Sequence, residues 1–440
     1  FSNERGIVRL RTSFRREAAP EDLAHLHEVL SAAGACGDAG KTAQDDRAIY
    51  QPFQLMGRKI ILSDETLGAI SQFEIFASRC DCTIGTSPLG PSLSRTLARM
   101  DGIFVALLNG ARADYRTCCF LDYLKEAGGW TKGVPDKAKV EAIMGSLRLD
   151  QKVLEASRCA HQMMAIEINS LCGAAPTTIT PRYVLALHQA ISRTFHPGAP
   201  TGLRGWEVND KDSEGLGRAY RPPSPLELPE FLQDLVMFLN NSKLGPSAKV
   251  ALMHYQMEAT KMFDTDIDQL ARALLVGIWR NANLITHIMA PIAITPALAQ
   301  RNHDEVLQPY QFCRGASETQ MIDEWVYHTA RASRNAFEVA QYSYSLACRA
   351  IESWGRALNG ERRLTEMAKR FLISLIGSPV FSASTLAESI DTTFTTAAKL
   401  IDTAEKAGII VQVSHGRRNK VYECPEATGF FNAIMAEVTQ

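Results

Sequence analysis

Residues 257–275 read MEATKMFDTDIDQLARALL, and this stretch decides how the fold is interpreted. Apolar residues at helical spacing flank a short polar loop, which predicts two helices joined by that loop. The loop carries aspartates at alternate positions, Asp264, Asp266 and Asp268. A calcium-binding loop begins in this way but also requires glycine at its sixth position and glutamate at its twelfth. Gln269 and Leu275 occupy those positions, so we interpret the aspartates as an acidic helix start, which the helix dipole favours.

The segments before this stretch follow a defined order along the chain. They are a Pro197-Gly198 turn, a glycine-rich segment at 204–220 that suits a β-hairpin, a Pro222-Pro223 pair, a leucine-rich segment FLQDLVMFLN at 231–240 and the segment MHYQMEA at 253–259. In order and spacing these features resemble the Fic family, over residues 91–350. Members of that family usually transfer AMP from ATP to a protein hydroxyl.

The loop resembles the motif of that family, HPFxxGNGRxxR, with most of its chemistry changed. Phe263 and Arg272 match the Phe and the second Arg of the motif. The departures are Lys261 in place of the catalytic His, Thr265 at the metal-holding acidic position, Asp266, Ile267 and Asp268 in place of Gly-Asn-Gly, and Gln269 in place of the first Arg. In the family the His is a general base and the glycine-rich loop binds phosphates at a helix N-terminus. The resemblance therefore implies a fold whose active loop has been lost.

These departures act against nucleotide binding and transfer. An ordinary lysine is protonated at about pH 7, so Lys261 is a poor general base. Asp266 and Asp268 add negative charge where a triphosphate would lie, and Gln269 removes a positive charge. We therefore predict a pseudoenzyme with no catalytic residue, no cofactor and no metal. The alternative is a Fic-type AMP transferase with displaced catalytic residues, in which Lys261 or His254 acts as the base.

A further resemblance concerns the inhibitory helix of many Fic proteins, whose Glu pairs with the second Arg of the motif. Glu167 matches that Glu, whereas Met163 replaces its Ser/Thr and Ile168 its small residue. The resemblance implies a structural ion pair between Glu167 and Arg272. An ordinary surface glutamate is the alternative.

Residues 361–430 form a second pattern. Its parts are an amphipathic helix from Leu364 to Ile376, a short helix from Ser382 to Ile390, a longer helix from Phe394 to Ala404 that Gly408 closes, and paired strands at Ile409–Val413 and Val421–Tyr422. This order resembles the winged helix family, whose members insert a recognition helix into the major groove of DNA. Fic proteins often end in such a module.

The winged-helix resemblance assigns DNA-binding residues. They are Thr392, Thr393, Thr395, Thr396 and Lys399 on the recognition helix, and His415, Arg417, Arg418, Asn419 and Lys420 in the hairpin. Short hydroxyl side chains approach phosphates and base edges, and basic side chains contact phosphate. The alternative is a winged helix used for protein contact or dimerisation.

Composition limits the function classes. The net charge is −1, so a nucleic-acid site has to be a local patch. No apolar run is long enough to span a bilayer, and the first residues lack the apolar core of a secretion signal, so we expect a cytoplasmic protein without a membrane partner. The ten cysteines lack the paired CxxC spacing of a zinc site and are interpreted as reduced core thiols.

The combined prediction is a mainly α protein: a Fic-like helical domain with a small β-hairpin flap, a C-terminal winged helix and an N-terminal α+β segment. The regions are 1–90 (unassigned), 91–195 (helical), 196–350 (degenerate Fic core) and 361–430 (winged helix-turn-helix). The predicted function is sequence-specific binding of double-stranded DNA by a homodimeric transcriptional regulator, with a small-molecule or protein effector at the Fic-like pocket. A protein-interaction, antitoxin-like module is the remaining alternative.

Overall fold

The computed structural model of the chain is mainly α-helical, which confirms the fold class predicted from the sequence. The residues it describes are 52–108, 110–131, 134–144, 152–154, 156–161, 178–195, 198–207, 222–301, 318–360, 363–414 and 419–439. Within these ranges no helix combines the length and the apolar character needed to cross a membrane.

The named elements fall on either side of the loop that the sequence singled out. Before it lie α1 (Asp64–Gly85), α2 (Gly90–Leu108), α3 (Tyr115–Glu126), β1 (Trp130–Thr131), β2 (Val134–Pro135), α4 (Lys137–Met144), α5 (Pro181–Phe195), α6 (Leu228–Asn241) and α7 (Pro246–Ala259). After it lie α8 (Ile267–Asn281), α9 (Ile294–Arg301), α10 (Glu318–Asn359), α11 (Glu366–Gly377), β3 (Val380–Ser382), α12 (Ala383–Ser389), α13 (Phe394–Lys406), β4 (Val411–Gln412), β5 (Val421–Glu423) and α14 (Pro425–Thr439).

Helix α10, with 42 residues, packs along α1 and organises the larger hydrophobic core. Phe337 of α10 lies 5.9 Å, centroid to centroid, from Phe73 of α1. Phe73 in turn lies 5.1 Å from Trp279 of α8. All three rings are buried, so aromatic packing joins the two long helices to the helix that follows the loop.

A smaller hydrophobic cluster surrounds the loop itself. It includes apolar side chains of α5, α6, α7, α8 and the first half of α10. Trp325 of α10 closes it on one side, where its indole N–H donates to the carbonyl oxygen of Ala251 at 2.8 Å. The loop is therefore supported by packed helices on several sides, and its own apolar residues, Met262 and Phe263, belong to the cluster.

The C-terminal segment contains the helices and strands that the sequence pattern predicted. Strands β3, β5 and β4 form an antiparallel sheet in that order, with Phe381 opposite Tyr422 and Gln412 opposite the same tyrosine. Asp391, with φ 53°, makes the turn between α12 and α13, and Gly408, with φ 73°, follows the end of α13. The left-handed conformation at both turns is the one that glycine and, less often, aspartate adopt.

Contacts join this segment to the helical body. The hydroxyl of Thr96 on α2 donates to the carbonyl oxygen of Ile376 at 2.8 Å. Arg116 on α3 makes a bidentate ion pair with Glu423 of β5, at 2.5 and 2.7 Å. The division of the chain into four regions stays a prediction.

The flap predicted at 204–220 is described only at its start. Most of the glycine-rich segment lies outside the described residues, which resume at residue 222. A separate short hairpin, earlier in the chain, pairs β1 with β2, with Thr131 opposite Val134. Just before the glycine-rich segment, Leu203 makes an isolated antiparallel bridge with Phe263 of the loop.

Candidate functional site

The loop between α7 and α8, residues 260–266, requires support from distant parts of the chain. Lys261, with φ 47°, and Asp266, with φ 62°, both adopt left-handed backbone. Residues other than glycine adopt this conformation rarely, so surrounding contacts must stabilise it. Arg204, His188 and Ser192 provide those contacts.

Arg204 holds the first half of the loop. Its side chain is buried, and its Nε donates to the carbonyl oxygen of Lys261 at 2.9 Å. The guanidinium also donates to the carbonyl oxygen of Pro223 at 2.6 Å and to that of Trp206. Its backbone N–H donates to the carbonyl oxygen of Met262 at 3.0 Å. One arginine thus joins the loop to the start of the predicted flap segment and to the chain that follows it.

His188 and Ser192, one turn apart on α5, hold the second half of the loop. The N–H of Gly202 donates to Nδ1 of His188 at 3.3 Å, which leaves Nε2 as the nitrogen that donates to the carbonyl oxygen of Thr265 at 3.0 Å. Ser192 and Thr265 each donate a hydroxyl hydrogen bond to Asp266, at 2.8 Å. The residue types match a Ser-His-Asp triad, but the serine donates directly to the aspartate and the nearby imidazole nitrogen is itself a donor. The group therefore positions the loop.

Phe263 and Asp264 complete the internal contacts of the loop. The buried ring of Phe263 stacks on His188 with centroids 4.3 Å apart. Asp264 accepts a hydrogen bond from the indole nitrogen of Trp206 at 2.5 Å. The phenylalanine that matches the family motif thus has a packing role.

Arg272, the second residue that matches the motif, makes a buried ion pair. Its Nη1 donates to Asp101 of α2 at 2.7 Å, and the other carboxylate oxygen of Asp101 accepts the N–H of Ala293 at 2.7 Å. The buried Nε of Arg272 has no hydrogen-bond partner among the described residues. Glu167, the partner expected from the sequence, lies outside those residues. Gln269 is buried on the same helix.

His254, Glu258 and Asp268 form a group of titratable side chains beside the loop. Nε2 of His254 lies 3.2 Å from Oδ1 of Asp268. Burial alone would lower the pKa of His254, but the hydrogen bond and the charge of Asp268 raise it. Burial and then the charge of Asp268 raise the pKa of Glu258. Burial alone would raise the pKa of Asp268, but His254 lowers it. The group can therefore hold protons or a cation.

Carboxylates surround the N-terminus of α8. Asp266 is its buried N-cap residue, and Asp268 in its first turn and Glu258 at the end of α7 are half-buried. The guanidinium of Arg272 is already paired with Asp101. The absence of nucleotide transfer therefore stays a prediction.

The outer face of α13 is the second candidate site. Its predicted contact residues are exposed (Thr393, Thr395 and Lys399) or half-buried (Thr392 and Thr396). Thr393 caps the helix by accepting the N–H of Thr396 at 3.2 Å. Phe394 opens the apolar pattern of α13 in the sequence, yet its side chain is 63% exposed.

The hairpin between β4 and β5 is described only in part. Asn419, with φ 52°, and Lys420 are exposed at its far side. His415, Arg417 and Arg418 lie outside the described residues. Their role as DNA contacts stays a prediction.

Sequence reasoning missed the residues that support the loop. Arg204, His188, Ser192 and Asp101 lie between 57 and 171 positions from their loop or α8 partners. Only the spacing of His188 and Ser192, four apart on a predicted helix, marked a shared face in the sequence. Nothing in the pattern related that face to the loop.

The chain was compared with known proteins. No protein-family model matches it, and none of the curated proteins does. It is similar to the crystal structure of a Fic family protein from Desulfovibrio desulfuricans G20, with 14% identity over 83% of this chain and 97% of that chain and a TM-score of 0.39. It is also similar to residues 134–508 of Fic-1 from C. elegans, with 15% identity over 62% of this chain and 71% of that chain and a TM-score of 0.36.

Proposed function

We propose that this chain is a sequence-specific DNA-binding regulator of transcription, built on a Fic-like helical body that has lost AMP transfer. The observation that carries the proposal is the set of exposed side chains on the N-terminal half of α13, which follows α12 after a short turn at Asp391. The order α11, β3, α12, α13, β4, β5 supports the interpretation of residues 361–430 as a winged helix. In that fold the second helix of the helix-turn-helix enters the major groove, with its N-terminal residues on the base edges.

The side chains of α13 suit this docking only in its first half. Thr395 and Lys399 are exposed there, and Phe394 adds an apolar surface of the kind that contacts thymine methyl groups. Asp402 and Glu405 occupy the second half, where Lys406 pairs with Asp402 at 2.6 Å. Carboxylates repel the phosphate backbone, so the favoured orientation has the N-terminus of α13 in the groove.

The hairpin supplies the second contact. The segment from His415 to Lys420 carries Arg417, Arg418 and Lys420, with Glu423 as the nearest acidic residue in the sequence. Glu423 is held by Arg116 of α3, so its charge is already compensated. A basic hairpin beside the recognition helix would contact phosphates or the minor groove.

The helical body would serve as a scaffold for dimerisation and for sensing a small-molecule or protein effector. Operators with two-fold symmetry match homodimers, so a homodimer is the assembly that fits this function. Contacts such as that of Thr96 with Ile376 join the body to α11, which would allow a change in the body to reach the DNA-binding segment.

Loss of Lys399 is expected to weaken DNA binding. The purified full-length chain is mixed with fragments of genomic DNA from its source, and retained fragments are sequenced. We expect enrichment of a discrete, two-fold-symmetric site. For that site, Lys399→Glu lowers affinity about tenfold or more, because an exposed cation at the groove becomes an anion. The thermal midpoint stays unchanged, since the Lys399 side chain is exposed.

A matched control lies on the same helix. Lys406→Glu makes the same charge change about 10 Å further along α13, beyond the screening length of about 8 Å at physiological salt. We expect its effect to be less than about threefold. Absence of an enriched site, or equal losses in the two variants, would contradict the proposal and favour a protein-interaction module.

AMP transfer is expected to be absent. The full-length chain is incubated with labelled ATP, Mg²⁺ or Mn²⁺ and a protein extract, and label on protein is measured. We expect no incorporation above that of heat-denatured chain, because Lys261 replaces the base and carboxylates occupy the phosphate side of α8. Incorporation that disappears in Lys261→Ala or His254→Ala would instead establish a transferase with displaced catalytic residues.

A further inference from the structure

Three side chains of the types that ligate divalent metal ions meet where α7 and α8 pack together. His254 and Glu258 lie one turn apart on α7 and so share a face of that helix. Asp268 lies in the first turn of α8. One ligand atom from each, an imidazole nitrogen and two carboxylate oxygens, lies within 4.8 Å of the other two. In the described part of the chain, no second group of His, Cys, Asp or Glu side chains converges in this way.

The group has more negative charge than its direct contacts compensate. His254 bonds to Asp268, as described above, but the carboxylate of Glu258 makes no hydrogen bond or ion pair with a described residue. A half-buried carboxylate beside a second carboxylate is costly without a cation. Glu258 therefore points to a positive partner that the described side chains do not supply by direct contact.

Two cationic side chains lie near enough to act on the group by their charge. Arg272 is held by Asp101, at 2.7 Å, and so is directed to a different carboxylate. The charge of Lys261 acts on both Glu258 and Asp268, where it lowers the pKa of each carboxyl group. An ion at this place has to bind in the presence of that lysine.

We propose that His254, Glu258 and Asp268 form a binding site for a divalent transition-metal ion of the Zn²⁺ or Mn²⁺ class. One imidazole and two carboxylates suit these ions, whereas Ca²⁺ and Mg²⁺ prefer oxygen ligands alone. Ligand atoms about 2.1 Å from an ion stand about 3 to 4 Å apart, and Nε2 of His254 and Oδ1 of Asp268 are separated by 3.2 Å. Rotation of the Glu258 side chain completes the set, and water takes the remaining positions.

The site would join the end of α7 to the start of α8 across the loop. Asp268 stands at a glycine position of the Fic motif. None of the three proposed ligands therefore occupies the acidic position that holds the metal in that motif. Binding also displaces a proton or a hydrogen bond from His254, because the nitrogen that faces Asp268 becomes a ligand. The ion would then stabilise the folded chain in proportion to its concentration.

Metal titration of the full-length chain tests the proposal, whether or not the chain binds DNA. The chain is freed of metal with a chelator and titrated calorimetrically with Zn²⁺ and, separately, with Mn²⁺, whose free signal is also followed by electron paramagnetic resonance. We expect one ion per chain, a thermal midpoint that rises with the ion, and affinity reduced about tenfold or more in both His254→Gln and Glu258→Gln.

Asp264→Asn provides the matched control. It removes a carboxylate from the same loop, but Asp264 bonds to Trp206 and lies outside the group. We expect its affinity for the ion to equal that of the unaltered chain. Glu258→Gln keeps the size of a side chain that makes no hydrogen bond within the described part of the chain, so this variant should fold even if His254→Gln does not, and circular dichroism checks this. No saturable binding, or equal weakening in Asp264→Asn, would show that the group is a His–Asp ion pair only and would overturn the proposal.

Discussion

Arg99→Met is expected to destabilise the folded chain by about 3–5 kcal/mol. Arg99 lies on α2 with its side chain 1% exposed, and its Nε pairs with Asp122 of α3 at 2.6 Å. Its guanidinium also donates to the hydroxyl of Tyr115 at 2.9 Å and to the carbonyl oxygen of Gly377 at 3.2 Å. Methionine fills a similar volume but leaves the carboxylate of Asp122 buried, with His161 as its remaining partner among the described residues. The loss is therefore one of charge compensation more than of packing.

The measurement is the free energy of unfolding by urea, with far-ultraviolet circular dichroism as the probe. The double variant Arg99→Met/Asp122→Leu removes both charges and should recover at least about 2 kcal/mol of that loss. Arg356→Met, at an exposed position of α10, should change stability by less than about 0.5 kcal/mol. A single variant as stable as the unaltered chain would show that the pair contributes little.

The pH dependence of this pair has a definite sign. Burial alone would raise the pKa of Asp122, but the charge of Arg99 and the hydrogen bonds from His161 and Arg99 lower it below its ordinary value. The contribution of Asp122 to stability is therefore present above the pKa of an unfolded aspartate. It is lost as the pH falls through the lowered pKa of the folded state. Near neutral pH, the cost of Arg99→Met is fully expressed.

Local patterns predicted the C-terminal elements well. The periodicity of α11 and α13 and the glycine after α13 depend on residues close in sequence. The same holds for the two helices around the loop, α7 and α8. Phe394 shows the limit of the pattern. Because it is the first residue of α13, its side chain extends past the core that the later apolar residues of the helix cover.

Helix α1 shows why the N-terminal region was not assigned. Its buried positions Ile70, Phe73, Ala77, Cys80 and Ile84 follow helical spacing. Threonine, cysteine and aspartate at intervening positions weaken the contrast between its two faces, and Asp81 is itself buried. Asp81 accepts the backbone N–H groups of Thr286, His287 and Ile288, so a buried charge there is explained only by a distant segment.

The candidate site was predictable in its residues but not in its contacts. Comparison with the motif identified Phe263 and Arg272 by position alone. Their partners, His188 and Asp101, are far apart in the chain and come together only through the packing of α5 and α2 around the loop. Asp101 lies among apolar residues of α2, and no local pattern marks it as the partner of a distant arginine. Tertiary contacts of this kind leave no local pattern.

Arg272→Met is the second variant expected to have a large effect, also about 3–5 kcal/mol. The side chain of Asp101 is completely buried, with Arg272 as its counter-charge at 2.7 Å. The N–H of Ala293 remains as a neutral donor, which does not compensate a full negative charge. Removal of the arginine therefore isolates a carboxylate in the core, between α2, α8 and the start of α9.

A double variant separates this structural role from a nucleotide-binding one. In Arg272→Met/Asp101→Asn the amide oxygen of asparagine can still accept the N–H of Ala293, and no charge is left buried, so much of the loss should be recovered. If Arg272 served mainly to bind phosphate, Arg272→Met would change the urea midpoint little and Asp101→Asn would not rescue it. Recovery by Asp101→Asn would explain why an arginine occupies this position in a chain whose loop carries carboxylates where phosphates would bind. The arginine would then be needed to neutralise the buried carboxylate of Asp101 on α2, and its presence would not depend on a nucleotide.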